Sequence, residues 1–352
     1  DSMSATQAMT GHGGWPMTCV LDHEGLPFFA GTYFPPQPRQ GQPAFGQVLA
    51  FLADAWVNRR DDVRGAAEAL RDHLNRSLAA AAPVTPSELD AARDLLVREF
   101  DGRAKGFGGA PKFPPSMVLE FLRLRGAHGD ALAAQMLEQT CEAMARGGMF
   151  DQLGGGFARY SVDADWVVPH FEKMLYDNAQ LLAVYARLGT PLGDRVARQT
   201  ADFMLRELGT DEDALASSLD ADSEGVEGKF YAWTPAELVA VLGDDDGRWA
   251  ATTFGVTASG TFEHGSSVLQ LRDDVDADRL MRVRDLLFTA RESRVRPARD
   301  DKVVAAWNGL AISGLVAAAH ALTEPRYLEA ARRIADFLLA THLFLFLPFP
   351  HP

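Results

Sequence analysis

The sequence predicts a mainly α-helical protein in which a small α/β unit precedes a longer array of helical hairpins. With 352 residues, the chain is long enough for about two domains. Strand-like segments occur only near the start, whereas after residue 84 apolar residues recur almost throughout at helical spacing. There, short connections alternate with long glycine-rich loops, as expected when hairpins of helices are arrayed around an axis.

The composition is that of a soluble globular protein and excludes several functions. Hydrophobic residues make up 47% of the chain and charged residues 23%, both ordinary fractions. The net charge of −14 repels a phosphate backbone, so no nucleic-acid partner is expected. The two cysteines, Cys19 and Cys141, are too few for a disulfide framework or a zinc site, and a reducing cytoplasm fits that usage. No metal or cofactor is expected.

The first unit is predicted to span residues 1–80. Residues 17–21 and 26–30 are typical of two short strands joined by a turn that ends at Gly25. From Phe45 to about residue 78, apolar residues recur at helical spacing, with a predicted break at Gly65. An alanine-rich segment then closes the unit.

The second unit is predicted to span residues 84–342 and to contain about eight helices. Thr85-Pro86-Ser87-Glu88 is a capping box with proline at the first helical position, and Thr234-Pro235-Ala236-Glu237 repeats it before a short helix. Further helices are predicted at about 115–125, 129–146, 172–189, 193–208, 277–294, 303–322 and 325–341. The helix at 303–322 is apolar nearly all round and should lie inside. The apolar tail at 343–352 is irregular and too short for a membrane span, so no membrane partner is expected.

Loops between the predicted helices combine carboxylates with aromatic residues. Carboxylates act as general acid, base or nucleophile on sugars, and aromatic faces stack on sugar rings. The candidate catalytic residues are His170, Glu172, Asp177, Asp220, Asp222 and Asp301. The candidate substrate-binding residues are Arg159, Tyr160, Trp166, Lys173, Asn178, Tyr231, Trp233, Trp307 and Asn308.

Structural interpretations of these residues compete with the catalytic one. Loop carboxylates are usually solvated or cap helices. Residues 220–225 begin like a calcium loop, but Tyr231 stands where an EF-hand needs a bidentate glutamate. His170 and Glu172 could ligate a metal, yet a second histidine is missing at ligand spacing.

Long motifs in both predicted units resemble the spermatogenesis-associated protein 20 family. In the first unit they are Gly11-His-Gly-Gly-Trp-Pro-Met-Thr and Pro27-Phe-Phe-Ala-Gly-Thr-Tyr-Phe-Pro-Pro36. In the second they are Gly106-Phe-Gly-Gly-Ala-Pro-Lys-Phe-Pro, Asp151-Gln-Leu-Gly-Gly-Gly-Phe-Ala-Arg-Tyr, Pro169-His-Phe-Glu-Lys-Met-Leu-Tyr-Asp-Asn, Ser218-Leu-Asp-Ala-Asp-Ser-Glu-Gly and Asp301-Lys-Val-Val-Ala-Ala-Trp-Asn-Gly-Leu. The resemblance implies a thioredoxin-like domain joined to an (α/α) toroid related to six-hairpin glycosidases and N-acylglucosamine 2-epimerases.

The chain departs from that family pattern in two ways. It contains no Cys-x-x-Cys, and a single thiol cannot cycle as a dithiol. About eight of the twelve helices of a toroid are predicted, so the thioredoxin-like unit and the toroid are both expected to be partial and the chain to be truncated at both ends.

Three functions remain open. The first is a carbohydrate isomerase, epimerase or glycoside hydrolase, with a small saccharide as its partner. The second is a thioredoxin-like redox protein that lacks its dithiol in this chain. The third is a non-catalytic sugar-binding scaffold. The oligomeric state is not predicted.

Two structural expectations follow. The Trp15–Pro16 peptide bond should be cis, as in the thioredoxin fold that the motifs resemble. The six candidate catalytic residues should lie around one cavity at the toroid axis, because loops at the mouth of a helical ring converge. Crowded carboxylates disfavour their joint ionisation, so at least one should titrate above its usual pKa of about 4.

Overall fold

The computed structural model describes residues 2–14, 16–39, 41–77 and 83–342, and the chain divides into two compact units, Asp1–Thr85 and Pro86–Pro352. The described residues form twelve α-helices and nine short strands, which confirms the predicted mainly α fold. The predicted cis bond after Trp15, most of the alanine-rich linker and the tail at 343–352 lie outside the described residues.

The smaller unit is built on a two-stranded antiparallel hairpin. Its elements are α1 (Ser2–Thr10), β1 (Thr18–Leu21), β2 (Pro27–Gly31), α2 (Phe45–Asn58) and α3 (Arg60–Ser77). Thr18 pairs with Gly31, and the carboxylate of Asp22 accepts hydrogen bonds from the backbone N–H groups of Glu24 and Leu26 in the turn. The two predicted strands are thus confirmed.

The break between the two helices of this unit falls at Arg59 and not at Gly65. Arg59 has φ −137° and ψ 41°, outside the helical region, and its N–H still bonds the carbonyl of Ala55. Gly65 lies inside α3, where a glycine lowers helix propensity without ending the helix. The helices cover the hairpin: α1 and α3 pack on β2, and Phe28 stacks on Trp56 with ring centroids 5.8 Å apart.

The larger unit consists of paired helices, as the hairpin pattern predicted. Its helices are α4 (Pro86–Glu99), α5 (Ser116–Ala127), α6 (Ala131–Arg146), α7 (Leu175–Ala186), α8 (Pro191–Glu207), α9 (Pro235–Thr253), α10 (Ala277–Arg291), α11 (Ala305–Leu322) and α12 (Pro325–His342). Sequence neighbours pack together as α5 with α6, α7 with α8, α9 with α10 and α11 with α12. In addition, α7 packs along α11, so these two helices share the centre of the main core.

The predicted capping box at Thr234 is present in the structure, whereas the helix predicted from residue 172 begins at Leu175, after β5. At Thr234 the hydroxyl accepts a hydrogen bond from the N–H of Glu237, and the carboxylate of Glu237 accepts one from the N–H of Thr234. The helix that follows was predicted to be short. Its first helical segment does end at Gly243, whose φ of +79° and ψ of 175° lie outside the helical region, and a second segment continues beyond this kink to Thr253.

Helix α11 is buried on one side only. Asn308, Ala311, Leu315 and Ala318 face the core, whereas Leu310 is 38% exposed. The prediction that this helix lies inside is therefore met on the face that packs on α7, α8 and α12, whereas its other face is exposed in the described structure. Ala305–Leu322 is also long and apolar enough to cross a membrane by length and composition, a property that core helices of soluble proteins share.

Short strands in the long loops tie distant parts of the larger unit together. They are β3 (Tyr160–Ser161), β4 (Pro169–His170), β5 (Lys173–Met174), β6 (Ser218–Leu219), β7 (Asp222–Ser223), β8 (Val226–Glu227) and β9 (Arg299–Asp300). Strands β5, β6 and β9 form one antiparallel sheet, β3 pairs with β4, and β7 pairs with β8. The sheet of β5, β6 and β9 joins the three loops in which the sequence placed its candidate catalytic residues.

Candidate functional site

A histidine with carboxylates on both sides forms the centre of the candidate site. The Nδ1 atom of His170 lies 2.7 Å from Oε1 of Glu227, and its Nε2 atom lies 3.3 Å from Oε2 of Glu172. Arg159 donates a hydrogen bond of 2.8 Å to the same oxygen of Glu172. The side chains of His170 and Glu172 are about one-quarter exposed, so both are accessible to a small ligand.

Backbone pairing fixes the orientation of the histidine. His170 in β4 pairs with Tyr160 in β3, and residues directly opposite on an antiparallel pair present their side chains on the same face. The two rings stack with centroids 4.9 Å apart, and Phe113 packs on Tyr160 at 4.8 Å. The imidazole is therefore held against an aromatic surface.

Asp177, in the first turn of α7, is a buried carboxyl group. Its side-chain atom Oδ2 has no hydrogen-bond partner among the described residues. Burial raises the pKa of Asp177 to about 7; the guanidinium of Arg159 opposes that rise and the charge of Glu172 adds to it. The expectation that one carboxyl titrates above 4 is confirmed here, although burial contributes more than crowding.

Aromatic side chains at the starts of α7 and α11 extend this group. Tyr176 packs edge-to-face on Trp307, with centroids 4.9 Å apart. Burial raises the pKa of Tyr176, Asp177 adds to the rise, and Arg159 opposes it, so the tyrosine is near both charges. We refer to these neighbouring residues as the His170 cluster: Arg159, Tyr160, His170, Glu172, Tyr176, Asp177, Glu227 and Trp307.

Asp222 and Asp220 lie on the loop that contributes Glu227. Asp222 in β7 pairs with Glu227 in β8, across a two-residue turn in which Glu224 and Gly225 both have positive φ. Asp222 is exposed beside Glu227 and hence near His170. Asp220 accepts a hydrogen bond from the N–H of Asp222 at 3.3 Å.

Asp301 has a different environment. Its exposed carboxylate forms an ion pair with Arg299 at 2.6 Å, immediately after the sheet of β5, β6 and β9. Within the described structure, its ion-pair partner Arg299 does not belong to the His170 cluster.

Several candidate substrate-binding residues are core residues in this structure. Trp166 is fully buried and donates from its indole N–H to the carbonyl of Lys105, and Trp233 is 2% exposed. Buried Asn178 bonds both backbone groups of Phe157, and buried Asn308 does the same for Leu215. Through these hydrogen bonds, the two amide side chains anchor the loops at Phe157 and Leu215 to α7 and α11.

Lys173 and Tyr231 belong to a second polar site. Lys173 donates to Asp151 at 2.9 Å, and Tyr231 lies within 4.7 Å of its ammonium group. Asp151 and Arg291, the main partners there, were not among the predicted residues. The glycine-rich motif that begins at Asp151 is the sequence signal that indicates this site, because its glycines bring the backbone close to the carboxylate.

The described residues show no group of three or more His, Cys, Asp or Glu side chains arranged to hold a metal ion. Both cysteines are free thiols, and burial raises the pKa of each, above all that of fully buried Cys141. Thiolate formation is therefore disfavoured at both positions.

The geometry defines a protein of paired helices with an acid–base cluster at the ends of its central helices, preceded by a small α/β unit. Residues 1–75 match the family model Thioredox_DsbH, described as a protein of unknown function, DUF255. Over 394 residues the chain is 31% identical to human spermatogenesis-associated protein 20, covering 97% of this chain and 50% of that protein. It is 32% identical over 389 residues to an uncharacterized protein of Caenorhabditis elegans, covering 96% of this chain and 52% of that one.

The resemblance that the motifs predicted is thus confirmed: the chain is a relative of the spermatogenesis-associated protein 20 family, with a thioredoxin-like first unit. It spans about half the length of the curated relatives it matches.

Solved structures similar to this chain include sugar-converting enzymes. A sugar epimerase from a ruminal bacterium matches with a TM-score of 0.33 and 12% identity, covering 72% of this chain and 86% of that one. A D-mannose isomerase matches with a TM-score of 0.34 and 11% identity, covering 74% and 71%. Similarity at this level does not assign an activity.

Proposed function

We propose that the larger unit binds a small saccharide at the His170 cluster and transfers protons on it, as a sugar isomerase or epimerase does. The observation that carries the proposal is Asp177, a buried carboxyl group with a pKa of about 7 beside the pair of Glu172 and His170. General acid–base catalysis is most effective when the pKa of the group lies near the working pH. A strongly perturbed carboxyl near a partly exposed acid–base pair is a typical sign of a functional site.

The residues have separable roles in this proposal. Glu172 takes a proton from the carbon next to the sugar carbonyl and returns one to the product, so no further reactant is required, and His170 lies against its carboxylate. Asp177 gains or loses its proton near neutral pH and so changes the charge next to Glu172 and His170. Trp307 provides an apolar face for the ring, Tyr160 supports the imidazole of His170, and Arg159 balances the charge of Glu172.

Glycoside hydrolysis is the second candidate. Glu172 forms an ion pair with Arg159, whereas Asp177 is buried and its pKa is raised, so the two neighbouring carboxyl groups have different environments. Such a difference separates acid from nucleophile in glycosidases.

Deuterium exchange tests the proposal directly. Mannose, glucose and cellobiose are incubated with the chain in D2O, and NMR measures deuterium at the carbon next to the carbonyl. We expect exchange with at least one sugar, and Glu172→Gln should slow it about 100-fold or more with little change in melting temperature. The matched control is Glu263→Gln, at an exposed position beside His264.

The alternatives give different results in the same experiment. Hydrolysis of an aryl glycoside without deuterium exchange would favour the glycosidase. Saturable sugar binding without either reaction would favour a sugar-binding scaffold. Exchange that persists in Glu172→Gln would contradict the role assigned to this cluster.

A further inference from the structure

A cavity of about 280 Å³ in the larger unit is lined by an excess of cationic side chains. The cations are Lys173, Arg206, Arg291, Arg296 and Arg299. Two carboxylates, Asp151 and Glu207, line it with them. We call this space the arginine cavity.

Asp151 is fully engaged by two of these cations. Arg291 donates from Nη1 to both of its oxygens, at 2.9 and 3.0 Å, and Lys173 donates to Oδ2 at 2.9 Å. Although burial alone would raise the pKa of Asp151, the charges of Arg291 and Lys173 lower it well below its usual range. One carboxylate therefore compensates two buried cations.

Aromatic rings also lie against these two buried cations. The guanidinium of Arg291 lies 4.9 Å from the ring of Phe230, and the ammonium of Lys173 lies 4.6 Å from that of Phe203. Arg291 is only 3% exposed, and its Nε has no hydrogen-bond partner among the described residues. A buried N–H donor without a partner costs free energy, and an acceptor placed in the cavity would remove that cost.

The remaining arginines lie towards the surface. Arg206 and Arg296 share Glu207, and Arg296 also pairs with Glu292. Arg299 pairs with Asp301 and donates to two backbone carbonyls, those of Glu207 and Gly209. With these outer carboxylates included, the group still has more cations than anions. Burial lowers the pKa of Lys173 to about 8, against the opposing effect of Asp151, so the ammonium form still predominates at pH 7.

We infer that the arginine cavity binds a small organic anion with a carboxylate or phosphate group and a compact apolar or ring-shaped body. Guanidinium groups bind both kinds of anion through paired hydrogen bonds. The volume is near the lower end for ligand pockets, and Tyr231, Leu219 and Pro297 supply apolar walls.

This site does not depend on the proposed function of the His170 cluster. Glu172 and Lys173 are consecutive but have different partners: the first contacts His170 and Arg159, and the second contacts Asp151. Successive side chains of an extended segment point to opposite sides. The segment therefore separates two sites, and anions without a sugar ring test the arginine cavity alone.

Calorimetry with four probes provides the test. Phenyl phosphate and benzoate should bind saturably, and inorganic phosphate more weakly, whereas neutral benzyl alcohol should not bind. Binding should weaken as the salt concentration rises from about 0.02 to about 0.5 M. The tighter of phenyl phosphate and benzoate identifies the preferred anion, and tight binding of either one supports the inference.

Variants locate the binding. Arg296→Gln and Arg299→Gln change partly exposed side chains and should each weaken binding about tenfold, the loss expected for one charged hydrogen bond. Arg333→Gln, at an exposed arginine that pairs with Asp213 and is not among the residues lining the arginine cavity, should bind like the parent chain. Thermal unfolding checks that all three variants fold.

Two results would overturn the inference. One is the absence of anion binding up to about 10 mM, which is weaker than a specific site provides. The other is equal binding by the parent chain, Arg296→Gln and Arg299→Gln, which would place the anion elsewhere.

Discussion

At the residue scale, Asp177 is expected to lower the free energy of unfolding at neutral pH, because the burial that makes its carboxyl group reactive also disfavours its ionised form. A carboxyl in the unfolded chain titrates near 4, whereas that of Asp177 has a pKa of about 7 in the folded chain. Between these values the native state binds more protons, so the free energy of unfolding falls as pH rises through this window. The stability that protonation gives is complete below about pH 4 and is lost above about pH 7.

Asp177→Asn should therefore stabilise the chain at pH 8 and not at pH 4. We expect the free energy of unfolding to rise by about 1–3 kcal/mol at pH 8, while sugar turnover is lost. Urea unfolding at the two pH values measures the difference. Asp285→Asn, at an exposed position of α10, is the control and should change neither value by more than about 0.5 kcal/mol. A variant that is less stable at pH 8 would show that the ionised carboxylate is structural.

Asp151 should have the opposite effect on the pH dependence of stability. Its pKa is lowered in the folded chain, so its contribution is present above about pH 4 and is lost as pH falls through the folded value. Asp151→Asn removes the carboxylate that is ion-paired with buried Lys173 and Arg291, at a cost of about 3–5 kcal/mol at pH 7. Urea unfolding of Asp151→Asn, with Asp285→Asn as the control, measures this loss of stability. A loss below about 1 kcal/mol would mean that solvent reaches Lys173 and Arg291 freely.

At the element scale, two glycines of α11 test how closely it approaches α7. A Cβ added at Gly314 would lie 2.6 Å from the carbonyl oxygen of Ala179, whereas one added at Gly309 meets nothing within 4 Å. Gly314→Ala should therefore destabilise the chain by about 1–3 kcal/mol. Gly309→Ala should stabilise it by about 0.5–1 kcal/mol, since alanine has the higher helix propensity. Thermal unfolding compares them, and equal effects would argue against close packing of the two helices.

The sequence predicts where helices begin better than where they are interrupted. Capping residues such as Thr234 act within one turn and can be read locally, and the structure confirms this start. The non-helical backbone at Arg59 has no such local sign. The two-residue strands show no detectable alternation, because a periodicity of two needs a longer segment to appear.

The candidate site was predicted where its residues are close in sequence. His170, Glu172 and Asp177 lie within one short segment, and they are neighbours in the structure. The partner Glu227 and the pair of Asp151 with Arg291 depend on long-range contacts that no spacing encodes. Trp166 and Asn178 were assigned to ligand binding because sequence pattern does not distinguish a buried loop residue from an exposed one.

At the scale of the whole molecule, the two cysteines predict the absence of dithiol chemistry in this chain. Cys19 lies on a strand of the smaller unit, and Cys141 is buried inside α6 of the larger one. Burial disfavours both thiolates, and a single accessible thiol cannot form an internal disulfide. We expect no catalysis of insulin reduction by dithiothreitol, and the same result for Cys19→Ala. Turnover that disappears in Cys19→Ala would favour the redox function instead.

The sheet of β5, β6 and β9 has a consequence for the order of folding. Its strands come from segments widely separated in sequence and are joined by bonds such as Leu175 N–H to Ser217 O, at 2.9 Å, and Ser217 N–H to Asp300 O, at 3.0 Å. Such pairing must overcome the entropy of closing long loops, which is compensated only once the intervening helices have packed. We therefore expect the segment between the His170 cluster and the arginine cavity to form after the helices have packed, and native-state hydrogen exchange should release its amides at a lower free energy than those of the core helices.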